Sequence, residues 1–161
     1  MPPLSQLHPA IIHFPIALLL VAPLLVLAGL LWPAQRPGIH AAALALLVFG
    51  TAMAILAVIT GLAAAGAVVP TRELLATLEV HERLAKRTAL VYVALTLAFS
   101  LILVLPSLLR TGLSPRGRTV LCLAWLLASA GGSVSLVLTA HLGGRMVHTI
   151  GIRASGVARN P

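Results

Sequence analysis

Acidic residues are scarce in this 161-residue sequence, and charged residues of both signs are few. Asp and Glu together number 3, and charged residues make up 9% of the chain, against about 25% in a typical soluble domain. Asp is absent, and the acidic residues are Glu73, Glu79 and Glu82. This composition disfavours a carboxylate-rich di-iron site, an Asp-based proton pump and a hydrolytic acid–base pair, since all of these depend on carboxylates.

Cysteine occurs once, at Cys122, which excludes an internal disulfide and a thiolate metal cluster. Lys and Arg number 11, but they are scattered between apolar segments instead of being gathered on one soluble face. We therefore interpret them as interfacial anchors and topology signals, and we expect no nucleic-acid partner. The chain also lacks a glycine-rich phosphate-binding loop followed by Lys, and a Ser-His-acid combination typical of a hydrolase.

Apolar residues dominate what remains, since 60% of the chain is hydrophobic and its mean hydropathy is +1.08. Four segments contain no charged residue and are long enough to cross a bilayer, which takes roughly 20 helical residues. They are residues 10–31, 41–66, 88–109 and 119–140. Helix is expected because a strand would leave backbone groups unpaired in lipid. The sequence predicts an all-α polytopic membrane protein, with residues 1–161 forming a single antiparallel four-helix transmembrane bundle.

Two further segments lie outside the predicted spans. Residues 71–87 are polar, and oppositely charged residues stand four apart there, as at Glu79 and Arg83, which is the spacing of helical ion pairs. We expect this polar helical segment to run directly into the third span. Residues 141–161 are predicted to form a C-terminal tail with no further span.

Histidines gather at one end of this predicted bundle. Four crossings bring the N-terminus, the 71–87 segment and the C-terminal tail to the same side of the membrane. Polar groups at membrane depth are costly and usually functional, so the histidines on that side form a candidate site. They are His8, His13, His81, His141 and His148, whereas His40 lies on the other side.

The spacing of these histidines indicates how they could bind a cofactor. His8 and His13 are five apart and His141 and His148 are seven apart, so neither pair can chelate one ion from a single helix. Ligands must come from different helices, which suits haem b held by two histidines across a bundle. We predict that two of His13, His81 and His141 are the ligands, with the same three binding zinc or copper in the alternative. The sequence does not determine which two of these three histidines bind the haem.

The other residues at this end have supporting roles in the prediction. Arg145 could pair with a haem propionate or with a lipid phosphate. His8 is expected to act as a helix cap or as a partner of a ligand, because Pro9 holds it outside the first span. His148 completes the candidate cofactor-binding set, as a weaker candidate than the three predicted ligands.

The sequence also resembles a known family, the DUF2231 membrane proteins of bacteria. Four stretches carry this resemblance, which extends over nearly the whole chain. They are His8-Pro9-Ala10-Ile11-Ile12-His13-Phe14-Pro15, Thr60-Gly61-Leu62, His81-Glu82-Arg83-Leu84-Ala85, and His141-Leu142-Gly143-Gly144-Arg145-Met146-Val147-His148. The resemblance implies a four-span protein of the bacterial inner membrane. Some members are joined to Rieske-type or cytochrome c domains, which implies that the module handles electrons.

This sequence departs from the family pattern in two places. Ala63 and Ala64 stand where relatives often carry an acidic residue, and His148 stands where Tyr is common. The first departure argues against an ion pair at that position. The second weakens His148 as a ligand relative to His13, His81 and His141.

Together these observations predict an electron-transfer module with b-type haem, working as a subunit more than as an enzyme acting alone. Besides the lipid bilayer, its expected partners are a quinone, a cytochrome or another membrane redox subunit. Two alternatives stay open: a histidine-based zinc or copper binding or transport module, and a structural or anchor subunit without catalytic function. Basic residues are more numerous on the histidine-rich side, which favours a cytoplasmic location for it, whereas periplasmic cytochromes as partners would favour the reverse.

Overall fold

Five α-helices make up nearly all of the described structure. The computed structural model describes residues 4–66, 71–110 and 112–148. The helices in these ranges are α1 (Leu4–Ile11), α2 (His13–Leu31), α3 (Arg36–Ala65), α4 (Arg72–Leu108) and α5 (Pro115–His148). The α1–α2 pair, and α3, α4 and α5 singly, provide four apolar helical segments long enough to cross a membrane. The all-α fold and the four-helix transmembrane bundle are therefore confirmed.

The helices form a closed ring in which chain neighbours are also spatial neighbours. α2 packs against α3, α3 against α4, α4 against α5, and α5 back against α2. Within the described residues, no Cα of α2 lies within 8 Å of a Cα of α4, and the same holds for α3 and α5. Short connections between long antiparallel helices produce this arrangement. The first and third spans are therefore diagonal to each other.

α4 and α5 extend well beyond the predicted spans at the histidine-rich end. α4 begins at Arg72, where the Thr71 side chain accepts a hydrogen bond from the Leu74 N–H at 3.3 Å, and it continues without a break to Leu108. This N-cap satisfies one of the free N–H groups of the first turn. Exposed ion pairs join helical neighbours four apart on this segment, Glu79 with Arg83 and Glu82 with Lys86.

α5 continues through residues 141–148, which the sequence assigns to the tail. Met146 is buried in this stretch, so this part of α5 packs against the bundle. It stays helical although it contains two consecutive glycines. The rest of the predicted tail lies outside the described residues.

One residue, Ile12, separates α1 from α2. The Ile12 N–H donates to the His8 carbonyl at 3.2 Å and the Ile16 N–H donates to the Ile12 carbonyl at 3.4 Å, so the chain keeps its helical direction. Pro15 has no N–H to donate to the carbonyl of Ile11, and its ring crowds that carbonyl. The hydrogen bond missing at this turn marks the boundary between α1 and α2.

The opposite end of the bundle is held by an aromatic cluster around His40. His40 is 2% exposed, its Nε2 donates to the Val26 carbonyl at 3.2 Å, and its ring meets Phe99 edge-on with centroids 5.6 Å apart. Phe99 packs on Trp125 at 4.9 Å, and the Trp125 indole N–H donates to the Leu95 carbonyl at 2.8 Å. Hydrogen bonds of this kind join transmembrane helices, because lipid tails leave no hydrophobic driving force between them.

Candidate functional site

A cavity of about 480 Å³ lies inside the histidine-rich end of the bundle. All four spanning segments contribute to its wall, the first of them through both α1 and α2, and most of the lining side chains are apolar. Pockets between the helices of a bundle commonly have this size and character when they bind cofactors or lipid-soluble ligands. Polar or charged side chains also reach the lining, namely Gln6, His8, His81, Glu82, Thr88 and Thr139.

His8 enters the cavity from α1 and is anchored to α3. Its Nδ1 lies 3.2 Å from the Thr60 hydroxyl oxygen. The Thr60 hydroxyl oxygen also lies within hydrogen-bond distance of the carbonyl oxygens of Leu56 (2.9 Å) and Ala57 (3.2 Å) on its own helix. Helical threonines commonly donate to the carbonyl three or four residues earlier. With Thr60 donating in this way, its oxygen accepts from His8, and we assign the proton of the neutral imidazole to Nδ1 on this basis.

His81 enters the same cavity from α4 and is anchored to α5. Its Nδ1 lies 3.1 Å from the Thr139 carbonyl oxygen. A carbonyl can only accept, so His81 Nδ1 carries the hydrogen in this bond. The Thr88 hydroxyl holds the same two helices together nearby, at 2.6 Å from the Ser135 hydroxyl and 3.1 Å from the Thr139 hydroxyl.

The two imidazoles are thus held in the same tautomer by two unrelated acceptors. Among the described residues, neither Nε2 has a hydrogen-bond partner. In the neutral ring this nitrogen carries a lone pair, which can bind a metal or accept a hydrogen bond. Histidines that bind metals usually donate their other N–H to a carbonyl or similar acceptor, which orients the ring and raises its basicity.

Two glycines leave room for these rings. A Cβ added at Gly61 would stand 3.0 Å from Cε1 of His8, and one added at Gly143 would stand 3.3 Å from Cε1 of His81. Both separations are tighter than ordinary contacts, so a side chain at either position would press on the imidazole. By contrast, a Cβ at Gly144 would meet nothing within 4 Å.

The structure brings together two of the five histidines that the sequence groups at this end. His8 and His81 line the cavity, whereas His13, His141 and His148 have exposed side chains and lie outside its lining. The roles of these three as ligands therefore rest on the sequence alone. Arg145 is likewise exposed and outside the lining, so its pairing with a propionate or a phosphate stays a prediction.

Sequence reasoning missed the residues that orient the two imidazoles. Thr60 was visible as part of the Thr60-Gly61 pair, but nothing in the sequence connects it to His8. The acceptor at Thr139 is a backbone carbonyl, so no side-chain pattern could have indicated it. Helix rotation and helix pairing supply both contacts.

Among the described residues, the potential metal-binding side chains do not gather into a site for a single ion. Across residues 4–66, 71–110 and 112–148, no three of His, Cys, Asp and Glu come close enough to hold one metal ion. Glu82, which lines the cavity beside His81, is paired with Lys86. The described donor set is therefore two imidazoles.

The sequence profile of one protein family matches almost the entire chain. Residues 4–156 match DUF2231, which is described as a predicted membrane protein. The chain belongs to the DUF2231 family. No curated protein and no solved structure shows significant similarity to it. Each of the four stretches that carry the resemblance to DUF2231 contributes to the lining of the cavity, through His8, Gly61, His81 and Gly143.

Proposed function

We propose that this DUF2231 protein is an electron-transfer module that holds a b-type haem in the cavity between His8 and His81. The proposal rests on one observation: the two imidazoles are oriented in the same way, with Nδ1 bonded to the protein and Nε2 without a partner among the described residues. Each commits its Nδ1 hydrogen to the protein and keeps the Nε2 lone pair for a ligand in one apolar cavity. His8 and His81 would hold the haem iron through these nitrogens.

The number of donors favours haem over a bare ion. A zinc site usually takes three or four protein ligands, and the described residues supply two imidazoles without a third donor in reach. Two imidazoles would be enough to hold a haem, because the macrocycle itself supplies further ligands to the iron. His8 and His81 stand on α1 and α4, which do not pack against each other within the described residues, and both side chains line the same cavity.

The surrounding residues have separate tasks in this proposal. Thr60 and the Thr139 carbonyl hold the two rings in place, and the mostly apolar lining from all four spanning segments suits an apolar macrocycle. Gly61 and Gly143 keep the approach to the rings open. Haem, when bound, supplies one-electron redox chemistry. We place the protein in the bacterial inner membrane, where quinones, cytochromes and other redox subunits are its proposed partners.

Substitution of the histidines tests this proposal. Protein purified from haem-replete cells should show a Soret band and a sharp reduced α-band, with one haem per chain. His8→Ala and His81→Ala should each abolish the six-coordinate spectrum. His13→Ala and His141→Ala are the matched controls, since these side chains lie outside the cavity, and both should keep it.

Other results would overturn the proposal and indicate which alternative holds. A folded, colourless preparation carrying zinc or copper by elemental analysis would support the metal-binding alternative. A folded preparation without metal or chromophore, which still assembles with its membrane partners after His8 and His81 are replaced, would support the anchor. Loss of the spectrum in His13→Ala or His141→Ala with retention in His8→Ala would assign different ligands.

A further inference from the structure

In the part of the chain that the structure describes, helix packing does not close the bundle around the cavity on the side between α1 and α5. Deeper in the bundle α2 packs against α5, but no Cα of α1 comes within 8 Å of a Cα of α5 among the described residues. Packed helices have axes about 8–10 Å apart and Cα atoms about 2.3 Å off the axis, so facing Cα atoms of a packed pair fall well inside that limit. A gap therefore separates α1 from α5.

The position of α1 explains this gap. α1 continues the helical direction of α2 past Ile12 and packs against α3. His8 fixes it there through its bond to Thr60 and through the close approach of its ring to Gly61. The contact that orients His8 thus also keeps α1 on the α3 side and away from α5.

Most residues at the rim of the gap are apolar, and Gln6 of α1 is a polar exception that also lines the cavity. Pro9 and Ile12 line the cavity on one side of it, and Ala140 and Val147 line it on the other. Pro9 and Val147 are exposed, and Val147 is 53% exposed. Among the described lining residues, the α1 and α5 sides contribute no charged side chain, and the one charged lining residue, Glu82, belongs to α4. Such a rim matches the hydrocarbon of a bilayer better than water.

We infer that the cavity is loaded sideways from the bilayer, through the gap between α1 and α5, by a lipid-soluble ligand. The identity of that ligand as haem rests on the proposed function, whereas the route rests on the gap itself. Haem b has an apolar macrocycle and dissolves in membranes, so it can reach the gap without crossing the polar loops.

Covalent closure of the gap tests the route. The pair Pro9→Cys and Val147→Cys places one thiol on each side of the rim, and a second pair, Gln6→Cys with Val147→Cys, serves if the proline variant fails to fold. The native Cys122 is buried and should not react. Bismaleimides of graded length then bridge the introduced thiols in protein reconstituted into vesicles.

Bridged protein should take up haem from haem-containing vesicles about tenfold more slowly, or not at all. Protein loaded before bridging should keep its haem and its spectrum. Single-cysteine variants treated with the same reagent leave the gap open and should load at the normal rate. Equal rates of haem uptake by bridged and open protein would overturn the proposed route. The proposed function would stand in that case, because haem still binds.

A second readout does not depend on haem. A small fluorophore attached to Val147→Cys should be quenched by lipids brominated on their acyl chains, and little by iodide in the water. The reverse pattern would overturn the bilayer entrance whatever the ligand. If the unbridged protein binds no haem but its label is quenched by brominated lipid, the proposed function fails and the entrance stands.

Discussion

His8 and His81 both donate their Nδ1 hydrogen to an oxygen on a neighbouring helix, at 3.2 and 3.1 Å, and both line one cavity. Each bond joins an imidazole to a neighbouring helix: His8 links α1 to α3, and His81 links α4 to α5. The two contacts therefore position the imidazoles and also hold the wall of the site together. Changes in either acceptor should alter the site more than changes in the exposed histidines.

Replacing the acceptor of His8 should weaken cofactor binding. Thr60→Val keeps the side-chain shape but removes the oxygen that accepts from Nδ1, and loss of such a supporting bond usually costs about 10- to 100-fold in metal affinity. Titration of ligand-free protein with haemin, followed at the Soret band, measures the effect. Thr60→Ser keeps the hydroxyl oxygen and should bind haemin with the wild-type affinity. Thr77→Val, whose hydroxyl bonds only within its own helix, should bind normally, and equal affinity of both valine variants would contradict the expectation.

The two adjacent glycines of α5 should respond differently to a methyl group. Gly143→Ala would press on the His81 ring, whereas Gly144→Ala meets open space. Both changes should favour the helix by up to about 1 kcal/mol, so their difference isolates the contact with His81. We expect haemin affinity to fall about tenfold in Gly143→Ala and to stay unchanged in Gly144→Ala. A similar titration curve for both would show that the ring adapts without cost.

A different glycine should matter for stability alone. A Cβ at Gly29 would collide with Cδ2 and Nε2 of His40, and Nε2 is the atom that bonds the Val26 carbonyl. Overpacking of this kind costs about 1–3 kcal/mol, so Gly29→Ala should unfold at lower temperature in detergent. Gly131→Ala, with nothing within 4 Å of the new Cβ, is the control and should unfold at the wild-type temperature or above. Equal unfolding temperatures for the two variants would contradict the close packing of His40.

The hydroxyl pair between α3 and α4 should make a small, measurable contribution. The Thr51 and Thr96 oxygens are 2.8 Å apart in the buried interior. Polar pairs between transmembrane helices contribute about 0.6 kcal/mol on average and up to about 1.7. A double-mutant cycle with Thr51→Val and Thr96→Val, followed by unfolding in mixed micelles, should give a coupling energy in that range. A coupling energy of zero would indicate that the two hydroxyls bond elsewhere.

The fold was accessible from sequence because its determinants are local. The length and hydropathy of each apolar run are properties of consecutive residues, and in lipid they leave helix as the only economical conformation. The pairing of helices followed from short connections. Details such as the start of α4 at Arg72 and the continuation of α5 to His148 depend on local caps and on packing.

The site was accessible only in part. The number of membrane crossings predicts that five histidines lie at one end of the bundle, and two of these histidines line the cavity. His13 and His8 illustrate the difficulty, since they stand five residues apart and point about 140° apart on a helix. One ring therefore enters the cavity while the other is exposed. Hydrophobic periodicity usually tells which face is inside, but these helices are apolar on all sides because lipid is as apolar as the interior.

The sequence by itself determined the membrane class, the four spans, the family and the end of the bundle at which polar groups collect. Each of these depends on composition along the chain. Only the tertiary structure decided that His8 and His81 share a cavity, that Thr60 and the Thr139 carbonyl fix their tautomers, and that α1 stands apart from α5. These relationships depend on the rotation and tilt of whole helices, which small residues and single hydrogen bonds control, and such contacts leave no periodic pattern in the sequence.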